Sequence, residues 1–181
     1  MIFRRTDRLI LRSFVEEDLQ RFSEYRSDPE VARYQSWNTP YSLEQAKYLY
    51  TEMGKTEPGT PGEWYQIAVV RNDHPGIIGD CGFEIKKYDR QQAEIGFSFS
   101  PQFQKQGYAT EAVRGLLDYL FSSFNLHRVI AICDAENQAS VRLLERLGMR
   151  REGHYIENIW FKGKWGSEYL YAVLANEWSI K

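Results

Sequence analysis

The stretch QKQGYA, Gln104 to Ala109, stands between two segments of different period. AEIGFSF, Ala93 to Phe99, precedes it with alternating apolar side chains, the two-residue repeat of a strand. TEAVRGLLDYLFSSF, Thr110 to Phe124, follows it with apolar residues at helical spacing. A glycine at such a junction tolerates a left-handed turn and lets the backbone approach a ligand closely. The first N–H groups of a helix have no intrahelical partner and lie at the positive end of its dipole. The junction therefore reads as an anion cradle suited to a phosphate or pyrophosphate, with Lys105 adding a charge. The plain alternative is a connection in which Gly107 only makes the turn.

Upstream, Arg8 to Phe14 alternates like a strand, and Glu16 to Tyr25 carries Leu19, Phe22 and Tyr25 at helical spacing. Asp28-Pro29 reads as an N-cap followed by a first-turn proline. Ser42 to Gln45 matches a capping box, ahead of an apolar stripe of Ala46, Leu49, Tyr50 and Met53. After the Pro/Gly loop Thr56 to Glu63, three strands are expected at Trp64 to Arg71, Ile77 to Ile85 and Ala93 to Phe99. Turn signals between them make an antiparallel meander. Downstream of the cradle come a helix from Tyr108 to Phe124, a strand from His127 to Asp134, and a helix from Asn137 to Leu147 stopped by Gly148. Two strands, Arg150 to Phe161 and Trp165 to Leu174, join through the tight turn FKGKW. Helices set among strands argue for an α/β layer structure, and the meander and hairpin make its sheet mixed.

The 181 residues match one domain, 1–181, long enough to bury a core without staples. A formal net charge of -2 gives no general attraction for nucleic acid or an anionic membrane. MIFRRTDRLILRSF has too short an apolar run and too many charges for a signal peptide or a membrane span. Cys81 and Cys133 lie in strand segments without ligand neighbours and read as free thiols. A cytoplasmic protein without a metal is the expectation. Twelve Tyr, ten Phe and five Trp point to a groove or interface lined with rings.

Neither GxxxxGK(S/T) nor GxGxxG occurs, which argues against nucleotide hydrolysis and Rossmann dinucleotide binding. The pattern present, Gln104-x-x-Gly107-x-Ala109, resembles the pyrophosphate signature (Q/R)-x-x-G-x-(G/A) of the GNAT superfamily of N-acetyltransferases. PQFQKQGYATEAV, LHRVIAICDAENQASVRLLERLGMRREG and FKGKW, with TDRLILRSFVEEDL and DPEVARY before them, resemble its RimJ/RimL-type branch in order and spacing. The resemblance covers nearly the whole chain. It implies a seven-stranded, mostly antiparallel mixed sheet flanked by about four helices, with the fourth and fifth strands splayed around acetyl-CoA.

By that resemblance, the backbone of Gln104, Lys105, Gln106, Gly107, Tyr108 and Ala109 holds the pyrophosphate, with Thr110 as an extra hydroxyl donor. Phe97, Ser98 and Phe99 would offer backbone groups to the pantetheine arm, as if to a further strand. Asn137 matches the family asparagine that contacts the arm, although Asn-x-x-Ser before an apolar run is equally an N-cap.

The chemistry implied is attack of a primary amine on a thioester. An amine with a pKa of about 10.4 must lose a proton first, while a thiolate whose thiol pKa is about 8.5 needs only modest help to leave. Glu94, on the strand entering the splay, is the candidate base. The tyrosine acid of many family members falls at Leu144, so the proton for the thiolate comes by resemblance from Ser140. The glutamate that partners this serine in RimL-like members falls at Ile159, with Glu157 nearby. For the acceptor, Tyr34, Trp37 and Glu157 suit a cationic small-molecule amine or a peptide N-terminus. Dimers are common in such folds, so a homodimer is one expectation the resemblance carries. The alternatives left open are a CoA-binding sensor or interaction module without turnover, and a phosphate-binding structural protein.

Overall fold

The computed structural model describes residues 1–178; the last three positions of the expected 1–181 domain lie outside the described residues. The chain runs β1 (Ile2–Arg5), β2 (Leu9–Arg12), α1 (Leu19–Arg26), α2 (Pro29–Ala32), α3 (Leu43–Met53), β3 (Tyr65–Arg71), β4 (Ile77–Ile85) and β5 (Gln92–Phe99). It continues with α4 (Tyr108–Phe124), β6 (Arg128–Asp134), α5 (Gln138–Arg146), β7 (Arg150–Phe161), β8 (Lys164–Leu174) and α6 (Ala175–Trp178). All eight strands form one sheet in the order β1-β2-β3-β4-β5-β6-β8-β7. Every pairing is antiparallel except β5 with β6.

The architecture is α/β with a mixed sheet, but the count of seven strands and about four helices is corrected to eight and six among the described residues. The added strand is β1, which pairs with β2. A short N-terminal segment gains strand conformation from a distant partner: the Thr6 hydroxyl in its turn donates to Glu111 of α4 at 2.6 Å. The added helices are single turns. Asp28 caps α2 by accepting from the Glu30 and Val31 N–H groups, with Pro29 at its start.

Two apolar cores sandwich the first half of the sheet. Val113, Leu116, Leu117 and Leu120 of α4 are fully buried against Leu11, Ile67, Cys81 and Phe83. Each such side chain contributes roughly 1.5–3 kcal/mol by leaving water. On the opposite face, α1 and α3 bury Phe22, Tyr25 and Ala46 over Ala68 and Val70. The capping box at Ser42 forms as read, with Gln45 N–H donating to the Ser42 hydroxyl at 3.2 Å and the Gln45 side chain accepting from Ser42 N–H at 2.7 Å. α5 continues the α4 layer over β6 and β7. β7, at the sheet edge, is exposed along almost its whole length.

The feature that positions the site lies at the parallel pair. β5 meets β6 only at Gln92–Arg128, Ala93–Val129 and Glu94–Ile130, although β5 runs on to Phe99 and β6 to Asp134. Beyond Glu94 the two strands part. Because β1 adds one to the count, the splay falls between the fifth and sixth strands.

Candidate active site

The splay opens into a cavity of about 700 Å³, walled by the end of β5, the loop into α4, the start of α2 and one face of α5. Its floor at one end is the QKQGYA loop. Gly107 has φ +84° and Lys105 φ +60°, so the loop makes two left-handed steps. Left-handed steps among ordinary residues are how a loop turns successive N–H groups toward one point. No side chain caps α4, whose first intrahelical bond runs from Glu111 N–H to the Gly107 carbonyl at 3.1 Å. A Cβ at Gly107 would lie 3.2 Å from Arg8 Nη2, on a backbone conformation that L side chains rarely adopt. The open helix start, the glycine and the strand with released pairing groups fit a diphosphate ester carrying an amide-containing arm.

Of the residues expected to hold that group, Phe97, Ser98, Phe99, Gln104, Lys105, Gly107, Ala109, Thr110 and Asn137 line the cavity, as do Ser140 and Tyr34. Gln104 steadies the loop, its Nε2 donating to the Phe99 carbonyl at 2.9 Å. Gln106 does not line the cavity; its side chain bonds back to the Gln102 carbonyl at 2.8 Å. Tyr108 turns its ring inward, 7% exposed, with the Arg8 guanidinium 4.5 Å from its centroid. For these two, only the backbone can serve the cradle.

Asn137 is an N-cap, its Oδ1 accepting from Ser140 N–H at 3.2 Å. That bond fixes the first turn of α5 and sets Ser140 on the cavity wall. Leu144 is fully buried in the core and Leu143 faces the cavity, so the helix offers no phenol there.

Glu94 sits at the vertex of the splay, as the last β5 residue paired with β6. It does not line the cavity. Its carboxylate takes Lys86 Nζ at 2.6 Å, and Glu84, its register partner on β4, takes the same ammonium at 2.9 Å. These two bonds outweigh partial burial and hold the Lys86 pKa above its ordinary value.

Two acceptor-side expectations are corrected by packing. Trp37 does not reach the cavity: its ring lies 3.9 Å from the Arg26 guanidinium and its Nε1 donates to the Arg26 carbonyl. Glu157 stands at a break in the β7 ladder with φ +45°, exposed, its N–H bonded to Ser167 Oγ at 2.9 Å, and it also lies off the cavity. Tyr34 OH donates to the Glu136 carbonyl at 3.4 Å. What the sequence reading missed is Lys162, whose Nζ, from the turn after β7, donates to the Ala32 and Trp37 carbonyls at 2.6 and 2.8 Å. Loss of solvation lowers the Lys162 pKa. Acidic residues Asp28 and Glu30 stand at the α2 end, and Arg142 and Arg146 on the α5 wall.

A family model described as an acetyltransferase (GNAT) domain matches residues 8–150. The chain belongs to the GNAT acetyltransferase family. As a member it is an acetyl-CoA-dependent N-acetyltransferase. It is 37% identical over 174 residues to the uncharacterized N-acetyltransferase YnaD of Bacillus subtilis, covering 96% of this chain and 98% of that one. The crystal structure of a GNAT-family acetyltransferase from Bacillus anthracis superposes with a TM-score of 0.86 at 31% identity, covering 98% of this chain and 100% of that one. Spermidine N-acetyltransferase from Vibrio cholerae, solved in complex with CoA and spermine, has a TM-score of 0.81 at 24% identity, with 96% and 99% covered, a likeness of fold.

Proposed function

We propose that this single-domain protein binds acetyl-CoA in the β5–β6 splay and transfers its acetyl group to a cationic primary amine. The observation that carries the reading is the loss of β5–β6 pairing beyond Glu94, opening onto an uncapped helix start with Gly107 in the left-handed region. The backbone from Gln104 to Ala109, with the Thr110 hydroxyl, holds the pyrophosphate, and Lys105 neutralises part of its charge. The strand end Phe97–Phe99 takes the pantetheine amides in place of the absent strand pairing. Asn137 fixes the α5 start and contacts the arm. Bound acetyl-CoA supplies the thioester carbon that the amine attacks.

Around that carbon the chain moves two protons. Glu94, ion-paired with Lys86, accepts the proton of the incoming ammonium through a water, because the carboxylate stands at the vertex and off the cavity wall. The Ser140 hydroxyl, which has no hydrogen-bond partner among the described residues, gives a proton to the departing sulfur and is restored by the second proton that the attacking nitrogen sheds on becoming an amide. Tyr34, Asp28 and Glu30 form the acceptor end. An aromatic face beside two carboxylates favours a cation. Order and spacing of motifs favour the RimJ/RimL-type branch as the chain's place within the family, without a shared substrate. No helix of the described residues is long and apolar enough to cross a membrane.

Mass spectrometry of reactions with acetyl-CoA and either a polyamine or a peptide with a free N-terminus tests the substrate class. An acetylated polyamine with the peptide untouched is the expected outcome. Acetylation of the peptide alone overturns the small-amine assignment and leaves the transfer reaction standing.

A further inference from the structure

The α5 wall of the cavity carries Arg142 and Arg146, one helical turn apart. Residues four apart on a helix lie on the same face, about 5–6 Å between Cβ atoms. Arg146 Nη1 donates to the Thr110 hydroxyl at 3.2 Å, which fixes that guanidinium beside the first turn of α4. Neither arginine has a carboxylate within ion-pair distance among the described residues. Glu145, between them in sequence, instead accepts from the Tyr171 hydroxyl at 3.0 Å. Arg8, the other guanidinium at the cradle, is neutralised by Glu111 at 2.6 Å. Asp28 and Glu30 belong to α2, on a different wall. This end of the cavity thus holds two uncompensated guanidinium forks besides Lys105.

A diphosphate diester carries two negative charges, and the loop amides with the α4 dipole and Lys105 already suit it. Two further forks call for another dianion. A phosphomonoester, with a charge of about −1.5 to −2 at pH 7 and three acceptor oxygens, matches bidentate guanidinium geometry. Coenzyme A carries one such group, on its ribose 3′ carbon. We infer that Arg142 and Arg146 form a phosphomonoester subsite that takes the ribose 3′-phosphate of CoA and so discriminates CoA from 3′-dephospho-CoA. The inference rests on the proposed acetyl-CoA site but assigns the arginines a role distinct from the cradle.

Calorimetric titration of CoA and 3′-dephospho-CoA into the wild type and an R142Q/R146Q variant tests it without turnover. The wild type binds CoA about ten- to a hundred-fold more tightly than 3′-dephospho-CoA, as expected for charge-assisted hydrogen bonds. In the variant the two affinities come within about two-fold of each other, and that for 3′-dephospho-CoA is unchanged within the same margin. Equal weakening of both ligands by the substitutions would assign the arginines to the pyrophosphate and overturn the subsite. Equal affinities of the wild type for both ligands would overturn it without any variant, leaving the cradle intact. If the wild type bound neither ligand, the acetyl-CoA site itself would fall and the subsite with it. Both arginines are solvent-exposed, so the substitutions leave no cavity in the core.

Discussion

Asp80→Asn removes the negative half of an ion pair enclosed between α1 and β4. Asp80 is 1% exposed and Arg26 4%. The Asp80 carboxylate accepts from Tyr25 OH, from Arg26 Nη2 at 3.0 Å and from Gln66 Nε2 at 3.0 Å. The Arg26 guanidinium is packed against the rings of Phe22, at 4.1 Å, and Trp37, at 3.9 Å. Burial pushes the Tyr25 hydroxyl well above its ordinary pKa, with the Asp80 charge reinforcing it, so the phenol remains a donor. A buried guanidinium left without its carboxylate costs about 3–5 kcal/mol. Arg26→Gln strands the carboxylate instead and costs a similar amount, whereas the double substitution leaves neither charge. The two changes should therefore be less than additive, with a coupling of about 2 kcal/mol. Urea unfolding at pH 7 measures all four corners of the cycle, each single variant remaining folded where the wild-type stability exceeds about 7 kcal/mol of the usual range of about 5–15. Additive losses, or a cost below about 1 kcal/mol for Asp80→Asn, would refute the claim that this pair is sealed from water. The pair matters to the site because Asp80 lies opposite Ser98 in the β4–β5 register, beneath the cavity wall.

Gly107→Glu places an anion and a side chain in the cradle at a φ of +84°, and acetyl-CoA binding measured by calorimetry should be abolished; wild-type affinity would sink the cradle. Glu94→Gln should lower turnover by about 10²–10⁴-fold with cofactor affinity nearly intact, and an unchanged rate across pH would remove Glu94 as the base. Although partial burial works against it, hydrogen bonds from Thr6, the Arg8 N–H and the Arg8 side chain hold the Glu111 carboxyl below its ordinary pKa. Its contribution to stability is full above the unfolded value of about 4.3 and is lost as pH falls through the lower folded value. The gap between wild type and Glu111→Gln in urea midpoints should therefore close on acidification, and a gap that widened would contradict the assignment. Burial raises the Cys81 thiol well above its ordinary pKa and pushes Cys133 up to about 12, so neither should react with a disulfide reagent at pH 8 until the chain unfolds. Rapid labelling of the native protein would show that β6 is more open than described.

The long helix α4 was legible because its apolar stripe alone dictates its face, and the expected Tyr108 to Phe124 span is the observed one. The cradle was legible for a local reason as well: a glycine and a helix start are adjacent in sequence. β1 was not, since four residues at the N-terminus become a strand only through β2 and the distant Glu111. Alternation along β5 sets Glu94 on the face opposite Ile95 and Phe97, yet nothing local revealed that Lys86 would hold it, which depends on the Glu84–Glu94 register. Trp37 resembled a substrate wall because an aromatic beside a loop looks alike in either role; its stacking on Arg26 is a tertiary fact. Arg142 and Arg146 were visible as an i,i+4 pair, but the wall they face is set by the splay.

Release of free thiol from acetyl-CoA, followed over a panel of polyamines, aminoglycosides, amino acids and short peptides, tests the central claim most directly. The structure predicts release that depends on the amine, saturates with a cationic one, and disappears in Gly107→Glu. Silence with every amine while acetyl-CoA is bound would contradict catalysis at this site and favour a CoA-binding sensor.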